Sequence, residues 1–553
     1  MQRNFMASPF AAQLGTNYCP KDKEVLEIQT LLVKPALRLK NLDNEIAELQ
    51  KAIEKLMEER DGLGAYVDAH KALISPVRRL PLDIIEEIFV TCLPTHRNCV
   101  MSASEAPVLL GRVCSSWRAI SLSTPRLWAK IHVVEPESDP YSRPAASFDQ
   151  KVAQRVQVTK MWLGRSGQCP LSISLESAPE NSPPETEVSS AASLQFLQVL
   201  VPFAPRWQHI HFATPATYIL EIISHLDVDM PWLETVAFHH QASRSLDNID
   251  WGHFSIFRGA RISSVSIPGR IFIPERFPVL WDQLTTLTIG GPSWSVDLTS
   301  EVIFRVISGC PELRCCKVVV RDNLETEMST APPQHSILEL QFLHTLAIHC
   351  VGDAAPVVSL LLKRLSVPEL SNFIFFGSRQ DSPPLSDFLT RSLCLRSLEI
   401  NNHAFSKTSV LDTLGHLPST VRQLKIIAPE MAFRSQECFD DDALAVLTSP
   451  GLCPALRDLS IGDSHHYISD AAVLRFITAR MMLEPRALKS VEICFGRPMT
   501  LDIMPDLLDF IENGLAISLT YTPSPRVTSP WKGLPDAPAV AYPTWTPPNR
   551  AVW

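Results

Sequence analysis

No stretch of 18 apolar residues occurs in this 553-residue chain, so no helical membrane span is expected. Its opening, MQRNFMASPFAAQLG, lacks a basic start followed by a clean apolar core, and no secretory leader is expected either. There is no usable Asn-x-Ser/Thr acceptor, because Asn181-Ser182 is followed by Pro183, and the thirteen cysteines show no paired spacing. These absences fit a reducing compartment, cytoplasmic or nuclear. A net charge of −9 with pI near 6.0 argues against a broad nucleic-acid footprint. Catalytic signatures are missing too. Gly164-Arg165-Ser166-Gly167 has the wrong spacing for a nucleophile elbow, and no Gly-x4-Gly-Lys-Ser/Thr phosphate loop is present. Cys310, Cys315 and Cys316, like the pairs His239-His240 and His465-His466, fall in no frame that presents ligands tetrahedrally. Cys99 and Cys114 have no recognisable activating histidine beside them. The expectation is a non-catalytic chain without metal or cofactor.

What is present begins with composition. Apolar content of 45% and charged content of 20% are those of a globular protein, and the length suggests three to four domain equivalents. The densest signal lies between Arg78 and Trp128. In RRLPLDIIEEIF, Ile84, Ile85, Ile88 and Phe89 follow helix spacing, and Pro81 suits a first helical turn. In LLGRVCSSWRAISLSTPRLW, Leu109, Val113, Trp117 and Ile120 read as one helical stripe that Cys114 widens and Pro125 ends. About 50 residues cannot cover two such wide faces, and each large side chain left in water forfeits roughly 1.5–3 kcal/mol of burial. The surplus face wants a partner, either the rest of the chain or another protein.

These residues carry a resemblance. Leu-Pro, then Ile-Ile, Ile-Phe, Val-Cys, Trp and a closing Leu-Trp resemble the F-box, specifically the F-box-like domains common in fungal proteins. The resemblance implies a small all-helical module that docks on a Skp-type adaptor and hangs a substrate receptor on a cullin–RING (SCF-type) ubiquitin ligase. It assigns Leu80, Pro81, Ile84, Ile85, Ile88, Phe89, Val113, Cys114, Trp117 and Trp128 as core or adaptor-facing positions. The link THRNCVMSASEAPV is longer than is usual for that family.

From Glu24 to Ala69 the chain reads as a heptad-like helix. Leu39, Ile46 and Ile53 sit seven apart, as do Leu42, Leu49, Leu56 and Leu63, with Pro35 before the seam and Gly62 and Gly64 closing it. The flanking positions Asp43, Glu45, Gln50, Ala52, Met57 and Glu59 offer no complementary charge pairs, so partner choice is poorly specified. A homodimer through the heptads, a fold-back onto Val25–Val33 and packing on the neighbouring module all stay open.

Beyond Ile131 come two proline-marked polar segments, EPESDPYSRPAASFD and APENSPPETEVSSAAS, flanking a helix and the strand around Leu171, Ile173 and Leu175. A six-residue pattern, apolar-x-x-apolar-x-apolar, then recurs eleven times from Trp207 to Ile493 at intervals of 22–35 residues. Amphipathic stretches such as VVSLLLKRLSVPE and AAVLRFITARMM lie between copies. A short strand and a return helix cannot bury their apolar sides alone, so neighbours stack into a parallel sheet. The pattern resembles irregular leucine-rich repeats of the kind found behind an F-box. In such strands the residue between the last two apolar positions faces the inner surface. That row shows no Lys/Arg stripe, which points to a protein client. His211, His349, Ile374, Phe376 and Glu399 are the expected client contacts.

The expected organisation is α/β. It runs as a disordered N-terminus (1–20), a helical heptad segment (21–70), an F-box-like module (76–131), a linker and lead-in (132–200), a repeat solenoid with a parallel sheet (201–514) and a Pro-rich disordered tail (515–553). LDIMPDLLDFIENG is expected to close the open sheet edge, with Gly514 as its stop. Two functional readings remain: a ligase substrate receptor, or a repeat scaffold that binds proteins without a ligase link. Neither involves nucleic acid or a membrane.

Overall fold

The computed structural model describes residues 8–136, 145–176, 187–213, 223, 226, 228–239, 254–267, 277–290, 300–321, 337–351, 355–377, 385–401, 405–427, 439–462, 468–484 and 486–521. The chain forms two compact units, Met1–Ile88 and Phe89–Trp553.

The first unit is dominated by α1 (Asp22–Leu73), a continuous 52-residue helix that buries none of its residues. The Lys21 backbone N–H donates to the Glu24 carboxylate at 2.7 Å and closes its N-terminus. The helix contains Pro35 and runs through Gly62 and Gly64, which were expected to bound the seam. Glycine inside a helix costs only about 1 kcal/mol against alanine, too little to stop a long helix of good formers. Because Val25–Val33 belong to α1 itself, the fold-back onto them does not occur. Within the N-terminus expected to be disordered, residues 9–16 form turns held by bonds such as Ala11 N–H to Ser8 O at 3.0 Å. A 3₁₀ turn (Pro76–Arg79) then leads to α2 (Leu82–Thr91), and the unit division falls within α2.

In the second unit, the single stripe expected from Leu109 to Ile120 is broken. Helix α3 (Leu110–Val113) ends at Cys114, whose backbone is fully extended. Helix α4 (Ser115–Ser123) restarts there, with the Cys114 Sγ accepting from the Trp117 N–H at 3.4 Å. The thiol satisfies one of the orphan N–H groups of the new helix, the role a serine usually plays.

A 14-stranded, all-parallel sheet fills the rest of this unit. Its strands are β1 (Lys130–Val134), β2 (Leu171–Glu176), β3 (Trp207–Ala213), β4 (Thr235–His239), β5 (Ser264–Ile267), β6 (Thr286–Ile289), β7 (Cys315–Arg321), β9 (Thr345–Val351), β11 (Asn372–Phe376), β12 (Ser397–Asn401), β13 (Gln423–Ile427), β14 (Asp458–Ile461), β15 (Ser490–Phe495) and β16 (Ala516–Tyr521). They pair in chain order. Two short strands, β8 (Leu338–Glu339) and β10 (Leu365–Ser366), form a separate parallel pair. Helices such as Ser300–Ser308, Ala355–Arg364, Lys407–Gly415 and Asp470–Met481 return the chain between strands, and consecutive helices pack side by side. Among the described residues, the connections from β4 to β6 hold only 3₁₀ turns, Ser255–Phe257 and Trp281–Gln283, in place of the expected return helix.

The six-residue pattern has a simple physical basis in this sheet. Its last two apolar positions form continuous buried rows, for example Val236, Val265, Leu287 and Cys316 in register, and Phe373 beside Leu398 and Leu424. Its first position, from Trp207 to Leu488, is buried at the foot of each strand. Alternate residues point the other way and most stay partly accessible, Ala237 and Ala347 being buried, so one face is covered and the other more open. A parallel sheet with stacked helices and one repeat per strand fits a solenoid.

Three expected boundaries move. Strands β1 and β2 belong to the sheet, so it starts at Lys130 and the segment 132–200 is no linker. The module read as 76–131 is not freestanding: the Cys99 carbonyl accepts from the His132 N–H at 2.7 Å, and Val100 bridges to His132. The long link is thus stitched to the first strand. At the far end, the helix Met504–Glu512 is followed by Gly514 at φ +95° and then by β16 on β15, so a strand and not the helix forms the edge. The tail from 522 on lies outside the described residues. Among the described residues, no helix is long and apolar enough to cross a membrane.

Candidate docking and client-binding surfaces

The ten positions singled out between Leu80 and Trp128 divide into two sets. Phe89 is fully buried, with its ring 4.8 Å from that of Trp117. Trp128 is buried too: its Nε1–H donates to the Ser121 carbonyl at 2.7 Å, Trp162 meets it edge-on at 4.8 Å, and the Arg165 guanidinium lies 4.6 Å over its ring. These two hold the fold and are unavailable to an adaptor. Leu80, Ile85 and Trp117 are half-buried. Pro81, Ile84, Ile88, Val113 and Cys114 are exposed, Ile84 by 45%, Ile88 by 41% and Val113 by 57%. Leu109, the first residue of the expected stripe, is exposed as well, as are Leu82 and Leu122, which the sequence reading did not single out. Leu82 adjoins Pro81 in the pattern, and that adjacency was the available signal.

The open face of the sheet carries the residues read as the inner row. From His211 through Ala237, Ser266, Thr288, Lys317, Ala347, Ile374, Glu399, Lys425 and Ser460 to Glu492, each is the register partner of the next. Of the five expected client contacts, four converge. Ile374 lies between Ala347 and Glu399, and Phe376 is the partner of His349, their rings 6.1 Å apart and edge-on. Lys425 Nζ sits 3.5 Å from the Glu399 carboxylate. The result is an apolar and aromatic centre with an ion pair at its margin. Asn401, next to this patch, is spent on structure: its side chain accepts from the Gly377 N–H at 2.9 Å and donates to the Gly377 carbonyl at 2.6 Å.

His211 does not join that patch. It belongs to a histidine cluster over β1–β4 that sequence reasoning largely missed, because β1 was not read as a strand and the β2 strand was read only as a lead-in to the repeats. Its ring lies 4.6 Å from that of His239. The His132 Nδ1 is 2.8 Å from the Ser174 Oγ, and its Nε2 is 3.7 Å from the Glu176 carboxylate. His209 contacts the Thr235 hydroxyl at 3.0 Å, and the Asn98 side chain donates to Ser174 at 3.0 Å. Burial, reinforced by His239 and His132, pushes His211 down to about 4, and burial also lowers His132, His209 and His239.

A stability profile follows from those directions. In the unfolded chain a histidine takes its proton near pH 6.5, whereas His211 in the fold resists until about pH 4. The unfolded state therefore binds more protons between these values, and stability falls as pH drops through that window. His211→Gln is expected to remove about 1–2 kcal/mol of the loss between pH 7 and pH 5, measured by denaturant unfolding at each pH.

The cysteines do structural work. Burial pushes the Cys310 thiol up to about 12 and the Cys99 thiol up to about 11, and raises Cys315 and Cys316 as well. Such thiols are poor nucleophiles and poor metal ligands at neutral pH. Among the described residues, no group of three His, Cys, Asp or Glu side chains is placed to hold a metal ion. No protein-family model matches this chain, and a search of curated proteins returns no match.

Proposed function

We propose that this chain is a non-catalytic substrate receptor. Its segment from Leu80 to Val113 docks on a Skp-type adaptor of a cullin–RING ubiquitin ligase, as the F-box-like pattern implies, and the open face of its sheet, read as an irregular leucine-rich-repeat solenoid, holds a client protein. The observation that carries this reading is the pair of fates within one pattern: Phe89 and Trp128 turn inward, while Ile84, Ile88 and Val113 stay in water. Large apolar side chains kept exposed on each of the two stretches mark interaction surfaces. The client side is served best by His349, Ile374, Phe376 and Glu399, where an aromatic anchor and a charged margin match the anatomy of protein interfaces. The mechanism is proximity: holding the client raises the local concentration of its lysines beside the charged conjugating enzyme carried by other subunits.

Co-precipitation of the full chain with the adaptor tests the docking step. Ile88→Asp and Val113→Asp each place a charge on an exposed apolar position and are expected to weaken adaptor binding by roughly 30-fold or more, with the thermal unfolding of the chain unchanged. Trp117→Ala is expected to weaken it as well, though this change also disturbs Phe89. Parental binding that survives both aspartates, or no binding by the parent, would count against the reading.

A further inference from the structure

Helix α1 is about 78 Å long at 1.5 Å per residue, and none of its residues is buried among the described residues. One heptad phase carries an apolar seam from Leu39 to Leu63, with Pro35 and His70 at the d positions on either side of it. With Leu39 at position a, the a positions are Val25, Leu32, Leu39, Ile46, Ile53, Arg60 and Val67. The firmest stretch sets β-branched Ile46 and Ile53 at a against Leu42, Leu49, Leu56 and Leu63 at d, the combination that favours two parallel strands. These side chains are presented to water: Ile46 is 51% exposed, Leu49 58%, Ile53 55% and Leu56 64%.

We infer that α1 is one strand of a parallel, in-register two-stranded coiled coil, and that the other strand is a second copy of this chain. The charge pattern favours that occupant, through a residue ahead of the flanking positions named above. In that register each g residue faces the e residue five positions on in the partner, so Arg38 faces Asp43 of the second copy. Glu45 faces Gln50, Glu59 faces Gly64 and Tyr66 faces Lys71, so no like charges meet. The one charged a position, Arg60, falls beside Glu59 of the second copy, which offsets the repulsion between the two arginines. Within a single chain Arg60 reaches Asp61 at 2.6 Å with both groups about two-thirds exposed, a contact that costs little to exchange. A foreign helix would have to supply carboxylates opposite both arginines; a second copy supplies them by symmetry. The consequence is two open sheet faces per particle and avidity for a client that offers two sites. This inference does not depend on the adaptor reading.

Sedimentation velocity on the full chain provides the test. The parent is expected at about twice the 61.6 kDa chain mass. The double variant Leu49→Asp/Leu56→Asp is expected to be monomeric with the thermal transition of the sheet unchanged, because α1 contributes nothing to the buried core. Arg38→Glu is expected to raise the dimer dissociation constant on the order of tenfold, and Arg38→Glu combined with Asp43→Arg to restore it. A monomeric parent, or a dimer that survives the two aspartates, would overturn the inference. Failure of the charge reversal to restore affinity would overturn the parallel in-register pairing.

Discussion

Asp470→Ala is expected to destabilise the C-terminal end of the sheet by about 3–5 kcal/mol, the size typical of breaking a buried ion pair from one side. Asp470 is 1% exposed at the start of the helix Asp470–Met481. Its Oδ1 lies 2.9 Å from Arg497 Nη2, and its Oδ2 accepts from the Thr500 hydroxyl at 2.5 Å and from the Leu501 N–H at 2.9 Å. The Tyr521 hydroxyl donates to Oδ1 at 3.0 Å, which ties β16 to the helix layer. The Tyr521 ring also stacks on Phe495 at 4.6 Å, and the Arg497 guanidinium lies 4.6 Å from the same Phe495 ring. Removing the carboxylate leaves the half-buried Arg497 without its counter-charge and frees four further donors at once, the Thr500 N–H and hydroxyl, the Leu501 N–H and the Tyr521 hydroxyl. Burial alone would raise the pKa of Asp470, but Arg497, Thr500 and the backbone N–H groups overcome it and hold the carboxylate well below its ordinary range. Its contribution is therefore intact above about pH 4 and is lost only as pH falls far into the acid. Tyr521→Phe should cost about 1 kcal/mol, since it removes one hydrogen bond and keeps the stack. Amide exchange reads the two apart: Asp470→Ala should release β15 and β16 together, whereas Tyr521→Phe should loosen β16 alone.

How much of this fold was legible depends on which slot of the repeat a residue fills. All eleven copies of the pattern became strands, because two buried rows and one buried foot residue must recur wherever a strand meets a helix layer. Strand β1 obeys the same rule, with Trp128, Ile131 and Val133 in the three slots. It went unread because Trp128 had already been absorbed into the preceding pattern. Strands β2 and β16 were invisible to the rule, since Pro170 and Gly514 stand where the foot residue should be. The docking positions show a different limit. Helical spacing tells which residues share a stripe but not which stripe turns inward, so Phe89 and Ile88, adjacent in sequence, had equal claims. Cysteine is a rare helix cap, and so nothing announced the break at Cys114. Seven-residue spacing does not reveal where a helix stops either, and Gly62 and Gly64 proved too weak to end α1.

Gly290→Ala is expected to cost about 2–4 kcal/mol, and the cost has two separable parts. Gly290 follows β6 with φ +105°, a conformation that charges any L side chain about 1–2 kcal/mol. Its N–H donates to the Ile267 carbonyl at 2.9 Å, so the residue is pinned to the neighbouring strand and cannot relax by leaving the sheet. An added methyl would also stand 2.5 Å from the Val319 Cγ2 and 2.7 Å from the Val319 Cβ. Val319 is paired in register with His349 on β9, so it cannot retreat without moving that strand, and overpacking of this kind costs about 1–3 kcal/mol. Val319→Ala in the Gly290→Ala background clears the Cγ2 contact and should recover part of the loss while leaving the Cβ contact and the backbone strain. Gly415→Ala serves as the control. It ends a helix with nothing within 4 Å of the new methyl, and it should shift stability by no more than about 0.5 kcal/mol. Chemical denaturation of the four proteins decides the matter: equal losses at 290 and 415, or full recovery in the double variant, would show that φ at Gly290 carries no strain.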